Sequence, residues 1–252
     1  MKQNKNMSLI EDKHRRYRTI MKGCHLKGFR VAVKETDVFI YANHECEIFV
    51  RDLILKQRGY IESYIGQYPD FLTTLSPWTK DDRAPEIVRN MIDAGKQAGV
   101  GPMASVAGAI AEQIGKSLLS INNEAIVENG GDVFIQMKQP LTVAIYAGNS
   151  PFTHRIGIKI MPKDQFDSIC TSSGRVGHSL SMGKAHAVTI RAKTCALADA
   201  VATATGNLVH QASDIQNAIQ FAQNIDGVFG VLIIVNDKIG LWGDMEIVPI
   251  QL

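Results

Sequence analysis

The sequence lacks the features that mark extracellular and membrane proteins. It has four cysteines, Cys24, Cys46, Cys170 and Cys195, which are widely spaced and form no CxxC pair. This pattern excludes a disulfide framework and a clustered zinc site. No apolar run approaches the length of a membrane span, and the first residues contain no apolar signal-peptide core. We therefore expect a cytoplasmic protein that makes no contact with a membrane.

The sequence also lacks a strong charge of either sign. Its formal net charge is +2, and no basic stripe follows the short basic run near residues 14–18, so no nucleic-acid partner is expected. With 45% hydrophobic and 21% charged residues, the composition is that of a globular protein. Internal repeats are absent, and the longest irregular stretch, 69–85, is interpreted as a surface loop rather than a lid. The oligomeric state stays open, and a homo-oligomer is compatible with the sequence.

Strand-like and helix-like patterns occur in groups rather than in strict alternation. Strands are predicted over 29–33 and 38–41 (as a hairpin), 125–128, 133–137, 141–147, 155–160, 185–191, 228–235 and 239–242. Helices are predicted over 45–57, 60–68, 85–98, 103–120, 194–206 and 214–224, with Gly59 separating the first two. The absence of regular βαβ alternation predicts an α+β fold, with antiparallel sheets packed against helices in a single domain.

The stretch from Thr194 to Gly206 reads as a short helix with an unusual polar pair. Asp199 and Thr203 are four residues apart and therefore share one helical face. Their neighbours are Ala, Val and Leu, and no Lys or Arg lies within a helical turn. Burying a lone carboxylate costs several kcal/mol or more, and a hard cation held by the Asp199 carboxylate and the Thr203 hydroxyl would offset that cost. A protonated or water-bonded Asp199 on a half-exposed helix is the open alternative.

Glycine and hydroxyl residues mark three further candidate positions. Gly130-Gly131 lies between two strands, which predicts a hairpin turn with positive φ and leaves its backbone open to a ligand. The stretch 171–174, Thr-Ser-Ser-Gly, is interpreted as a turn suited to phosphate or a carbonyl. Small residues at helical spacing around Gly108 allow close approach of a backbone or a flat ligand, although helix-on-sheet packing is the commoner cause. His178 lies between glycines, where a structural role and a functional role both stay open.

Three stretches, in this order, resemble the ApbE-type flavin transferases, which move FMN from FAD onto a Thr of a target protein. They are ASVAGAIAEQIG at 104–115, AIVENGGDVFI at 125–135, and the run from TSSG at 171–174 to LADAVATA at 197–204. The resemblance spans about residues 85–240, and the first third is similar to a divergent branch grouped with ApbE. It implies an ApbE-like fold for the single domain 1–252, with residues 1–84 supplying its N-terminal hairpin and helices.

The resemblance also implies a ligand and a set of site residues. It assigns Asp199 and Thr203 as Mg²⁺ ligands, FAD as the bound nucleotide and an unidentified protein as the acceptor of FMN. His178 is the implied general acid/base or phosphate contact. The implied cofactor-binding residues are Gly108, Asn129, Gly130, Gly131, Thr171, Ser172, Ser173 and Gly174.

Two departures from the transferase pattern leave three functions open. Ala107 stands where the transferases have a Lys, and Ser179-Leu180-Ser181-Met182-Gly183 replaces their Asp-Pro-x-Thr-Gly segment after the His. The first function is an enzyme that cleaves FAD, either as an FMN transferase or as a Mg²⁺-dependent pyrophosphatase. The second is a module that binds FAD or another nucleotide without turnover. The third is a structural relative with an unrelated ligand.

Overall fold

A computed structural model describes residues 25–163, 165–173 and 183–250. The strands in these residues, numbered in chain order, are β1 (Lys27–Val33), β2 (Thr36–Ala42), β3 (Ala125–Asn129), β4 (Asp132–Gln136), β5 (Leu141–Ala144), β6 (Ile156–Ile160), β7 (Asp167–Ser172), β8 (Ala187–Ala192), β9 (Val228–Val235), β10 (Lys238–Gly243) and β11 (Glu246–Pro249). The helices are α1 (Glu47–Gln67), α2 (Glu86–Ala98), α3 (Val106–Leu118), α4 (Cys195–Asn207) and α5 (Ile215–Gln223). Short 3₁₀ turns lie at Pro69–Leu72, Pro102–Ser105 and Ala212–Asp214.

The strands form two antiparallel sheets. The large sheet has the order β1-β2-β3-β4-β7-β8-β9-β10, and the small sheet has the order β11-β6-β5. Helices cover one face of the large sheet: α1 contacts β1, α3 contacts β3 and β4, α4 contacts β7 and β8, and α5 contacts β9 and β10. This arrangement confirms the predicted α+β class with antiparallel sheets. Within the described residues, no helix combines the length and the apolar character needed to cross a bilayer.

The centre of the large sheet is buried on both faces, so that each central strand contributes to two cores. In β4, Phe134 belongs to the core under the helices, whereas Val133 and Ile135 belong to the core shared with the small sheet. Val143 of β5 and Ile158 of β6 complete the second core. Successive side chains of a strand point to opposite faces, so nearly every residue of β3, β4 and β8 is buried, whichever face it lies on.

The predicted break at Gly59 is wrong, because α1 runs unbroken from Glu47 to Gln67. A Cβ placed on Gly59 would meet nothing within 4 Å, so this residue lies on the open side of the helix. One glycine in a helix costs only about 1 kcal/mol. The buried side chains of Val50, Ile54 and Ile61 on the opposite side outweigh that cost.

Aromatic side chains pack the segment between α1 and α2 against α1. Phe71 is fully buried, and its ring meets that of Trp78 edge to face at 5.5 Å. The indole N–H of Trp78 donates to the Tyr64 hydroxyl at 3.3 Å. This packing supports the interpretation of 69–85 as a surface loop.

Candidate functional site

Stretches that are distant in sequence meet where β3 and β7 end and β4 begins. Gly130 and Gly131 form the β3–β4 turn with φ values of 68° and 108°, which side-chain-bearing residues rarely adopt. The Thr171 N–H donates to the Gly131 carbonyl at 3.2 Å, and the Asn129 amide donates to the Ala107 carbonyl at 3.0 Å. The turn, the end of β7 and the start of α3 therefore form one surface, as the predicted site requires.

Helix α4 begins as the sequence predicts but ends later. The Thr194 hydroxyl accepts a hydrogen bond from the Leu197 N–H at 3.2 Å, which is the geometry of an N-cap. Gly206 does not end the helix, because α4 continues to Asn207. A Cβ on Gly183 would lie 1.8 Å from the Gly206 carbonyl oxygen, so the chain before β8 passes directly against the last turn of α4.

The small residues of α3 serve two different contacts. A Cβ on Gly108 would lie 2.3 Å from the Cys195 carbonyl oxygen of α4, and a Cβ on Gly115 would lie 2.2 Å from the Phe134 ring of β4. Helix-on-sheet packing therefore accounts for Gly115, and helix-on-helix packing accounts for Gly108. The assignment of Gly108 as an open cofactor contact is corrected: α4 fills the space beside it, and its N–H donates to Asp199 Oδ2 at 2.9 Å.

Two carboxyl groups, Asp199 of α4 and Asp132 of β4, share a hydrogen bond at the centre of this surface. Burial raises the pKa of Asp199 to about 7, and the N–H of Gly108 and the hydrogen bond with Asp132 limit the rise. Burial, followed by the nearby charge of Asp199, raises the pKa of Asp132 well above its ordinary value. Both carboxyl groups therefore bind a proton more tightly than an exposed Asp does.

The carboxyl pair has no cationic partner in the part of the chain that the structure describes. None of the groups that act on either carboxyl there is a Lys or an Arg. An unpaired buried carboxylate is unfavourable unless it binds a proton or a cation. The Asp132–Asp199 pair therefore requires a bound proton or a bound cation.

The oxygen atoms around Asp199 fit a hard cation. Thr203, one helical turn after Asp199, is 8% exposed, and Asp132 adds a second carboxyl group. Carboxylate and hydroxyl oxygens suit Mg²⁺ better than softer metals. Among the described residues no group of three or more His, Cys, Asp or Glu is arranged to hold a metal ion. Water, main-chain carbonyls or a bound phosphate would supply the other ligands, as is usual for Mg²⁺.

The Thr-Ser-Ser stretch is not the turn that the sequence predicts, because Thr171 and Ser172 belong to β7. The Thr171 and Thr189 hydroxyls are hydrogen-bonded at 2.9 Å. Ser172 is 8% exposed, and its hydroxyl has no hydrogen-bond partner among the described residues. Ser173 follows the strand, at the rim of the site. The last two predicted residues, Gly174 and His178, lie outside the described residues.

Sequence reasoning missed Asp132, which is the second carboxyl of the pair. An Asp after Gly-Gly is common in turns, so the residue was not selected. The available signal is that Asp132 opens an otherwise apolar strand, DVFIQ, in which it is 5% exposed. The sequence analysis also did not identify Glu128. Its carboxylate accepts the Gly131 N–H at 2.9 Å, which fixes the glycine turn.

Solved structures share the architecture described above. The flavin transferase ApbE from Vibrio cholerae matches with a TM-score of 0.56 at 11% identity, covering 87% of this chain and 97% of that one. The apo form of the Pseudomonas stutzeri flavinyl transferase ApbE matches with a TM-score of 0.53 at 10% identity, covering 86% and 94%. Because the identities are low, these matches define the fold class, which is that of the ApbE flavin transferases.

The family follows from sequence comparison. The family model described as AbpE bacteria matches residues 18–241, and the chain belongs to that family. A UPF0280 protein of Methanocaldococcus jannaschii is 42% identical over 221 residues, covering 85% of this chain and 89% of the relative. A UPF0280 protein of Methanocella arvoryzae is 36% identical over 218 residues, covering 86% and 89%. The predicted kinship with ApbE, through a divergent branch, is confirmed.

Proposed function

We propose that this protein binds FAD together with Mg²⁺ and cleaves the pyrophosphate of FAD, releasing AMP and passing FMN to a hydroxyl acceptor. The observation that carries the proposal is the carboxyl pair. Asp199 is held by the Gly108 N–H beside Asp132, with no cation from the described residues. A pair of carboxyl groups without a cation suits a metal-bound polyphosphate better than a free anion.

Each part of the site has a role in this proposal. Asp199, Thr203 and Asp132 would hold the metal, which would neutralise charge on the pyrophosphate. The buried Ser172 hydroxyl donates a hydrogen bond to a phosphate oxygen. A Cβ on Gly130 would meet nothing within 4 Å, which leaves room for the flat flavin ring over the turn formed with Gly131. Asn129 fixes that turn against the start of α3.

The proposed reaction is a phosphoryl-group transfer. The acceptor oxygen forms a bond to the phosphorus on the FMN side, and the bond from that phosphorus to the bridging oxygen breaks. AMP leaves with the bonding electron pair, and the acceptor proton passes to a base, the role proposed for His178. A Thr of a partner protein gives flavinylated protein, and water gives free FMN.

A second candidate function, FAD binding without turnover, is favoured by Ala107. The resemblance places a Lys at this position in the transferases, and here the Ala107 carbonyl is tied to Asn129. Loss of a cation at the start of α3 removes charge that would stabilise the leaving phosphate, whereas metal and flavin contacts stay in place.

The test is to incubate the purified protein with FAD, with and without Mg²⁺, and to separate the nucleotides. We expect Mg²⁺-dependent release of AMP, and loss of both AMP release and FAD binding in Asp199→Ala. The control variant is Asp226→Ala, because the Asp226 side chain is 96% exposed.

The outcomes separate the candidates. AMP that appears equally in the Asp199→Ala variant would place the chemistry elsewhere. Intact FAD retained in Mg²⁺ by the parent and lost in the variant identifies the binding module. Absence of FAD binding by the parent would reject the flavin proposal and leave the fold alone.

A further inference from the structure

Helices α3 and α4 meet through four residues whose spacing is the same on both helices. Gly108 and Glu112 lie four apart on α3, and Cys195 and Asp199 lie four apart on α4. The Gly108 N–H donates to Asp199 at 2.9 Å, and Glu112 Oε2 accepts the Cys195 N–H at 2.7 Å. Residues i and i+4 share a helical face, so these two hydrogen bonds lie one turn apart along the same contact. We call these four residues the α3–α4 contact.

The charge of Glu112, as well as its size, suits its position in the α3–α4 contact. It is 2% exposed, and its other oxygen pairs with Lys116 at 2.6 Å. The Cys195 N–H belongs to the first residue of α4, where main-chain N–H groups have no partner within the helix and the helix dipole favours a carboxylate. Both Glu112 oxygens therefore have partners, and the side chain joins the two helices without leaving an unpaired charge.

We propose that Glu112 is a positioning residue for the candidate site, since it holds the start of α4 against α3 and so sets Asp199 at the Gly108 N–H. Its effect on ligand affinity rests on the proposed FAD and Mg²⁺ function. Its effect on the position of Asp199 does not, because both hydrogen bonds of the α3–α4 contact join protein groups. Among the described residues, the hydrogen bonds of Glu112 go to Lys116 and to the Cys195 N–H, so its proposed role is to position Asp199 rather than to act as a catalytic residue.

A matched control exists at the same end of α4. The Thr194 hydroxyl also accepts a main-chain N–H of the first turn, that of Leu197, at 3.2 Å. Removing either side chain costs α4 one capping hydrogen bond, but Thr194 is local to α4 whereas Glu112 reaches α4 from α3. A purely stabilising role predicts similar effects for both, whereas a positioning role predicts an effect on the site for Glu112 alone.

The experiment compares Glu112→Met, Glu112→Gln and Thr194→Ala with the parent protein. The first readout is hydrogen exchange of the Gly108 amide in the ligand-free protein, referred to the Ile190 amide in β8 to correct for global unfolding. The second readout is the dissociation constant for FAD at fixed Mg²⁺. Met removes the acceptor at similar size, and Gln keeps an oxygen that accepts the Cys195 N–H.

We expect faster Gly108 exchange in Glu112→Met, approaching that of Asp199→Ala, and an FAD affinity lower by about 10- to 100-fold, the usual loss when a residue supporting a metal ligand is removed. Glu112→Gln and Thr194→Ala should keep both properties. Should Glu112→Met fail to fold, Glu112→Asp carries the same test, because its side chain is one methylene too short to reach Cys195.

Unchanged Gly108 exchange in the folded Glu112 variants would overturn the proposal, as would equal losses in Glu112→Met and Thr194→Ala. If the parent does not bind FAD in Mg²⁺, the proposed function fails, but Gly108 exchange still decides whether Glu112 positions Asp199.

Discussion

Two buried carboxylate sites lie at opposite ends of the same strand pair, β4 and β7, and they are completed in different ways. In the register of this pair, Asp132 is opposite Cys170 at one end, and Ile135 is opposite Asp167 at the other. Asp167 accepts from the Arg191 guanidinium at 2.9 Å, and Arg191 also bonds the Asp244 carbonyl at 2.8 Å. Asp132 has Asp199 as its neighbour instead of a cation.

The difference separates a structural site from a candidate functional one. Asp167 and Arg191 are 6% and 3% exposed, and Arg191 pairs with both Asp167 and Asp244, so opposite charges meet within this site. Asp132 is equally buried, at 5% exposed, and Asp199 is partly exposed, but the described residues supply this pair with no cation. A buried acid is thus informative about function when its partner is another acid, and uninformative when its partner is an arginine.

We expect the largest loss of folding stability when the cation of the Asp167–Arg191 site is removed. Arg191→Met leaves Asp167 buried without its cation, and removing one partner of a buried pair costs about 3–5 kcal/mol. Denaturant unfolding measures the loss. The control is Lys159→Met, which breaks the exposed Lys159–Glu246 pair and should cost less than about 1 kcal/mol. Equal losses in the two variants would contradict the comparison.

The next prediction concerns the Asp132–Asp199 pair and the pH dependence of the free energy of unfolding. Because burial raises the pKa of Asp199 to about 7, above its unfolded value of about 4, the native state binds this proton more tightly than the unfolded state. Its contribution is fully present below pH ~4 and is lost as pH rises to about 7, amounting to about 2–4 kcal/mol. Unfolding free energies measured in EDTA should therefore fall across this range.

Asp199→Asn removes the titrating group and should flatten this part of the pH dependence. The variant should be at least as stable as the parent at pH 8 in EDTA, in contrast to the Arg191 variant. A parent protein whose stability rises between pH 4 and pH 7 by the same amount as the variant's would show that Asp199 ionises freely.

We expect the smallest effect on stability at Gly108, which belongs to the α3–α4 contact. Gly108→Ala forces a Cβ to within 2.3 Å of the Cys195 carbonyl oxygen, and overpacking of this kind costs about 1–3 kcal/mol. Gly59→Ala is the matched control, because it is also a helical glycine but has open space around it. It should stabilise the protein by up to about 1 kcal/mol. Thermal unfolding of both variants decides whether packing, rather than helix propensity, explains Gly108.

Much of the fold follows from local patterns in the sequence. Glycine pairs and polar turns placed the β1–β2 and β3–β4 hairpins, and Gly99, with a φ of 74°, ends α2 as predicted. Gly59 was misjudged because its effect depends on whether the rest of α1 is packed, which no local pattern reports. Hydroxyl residues suit turns, so the sequence pattern of Thr171 and Ser172 predicts a turn, yet pairing with Val188 and Thr189 of β8 keeps them in a strand.

The sequence by itself determined which residues share an element: Asp199 and Thr203 on one helical face, and Gly130-Gly131 in a turn that only glycine adopts easily. These features depend on helix periodicity and allowed backbone angles, which act over a few residues. The tertiary structure alone decided that Asp132 meets Asp199, that α4 rather than a ligand fills the space beside Gly108, and that Glu112 reaches the start of α4. Those contacts join elements far apart in the chain, and the burial that raises the Asp199 pKa arises only once the helices cover the sheet.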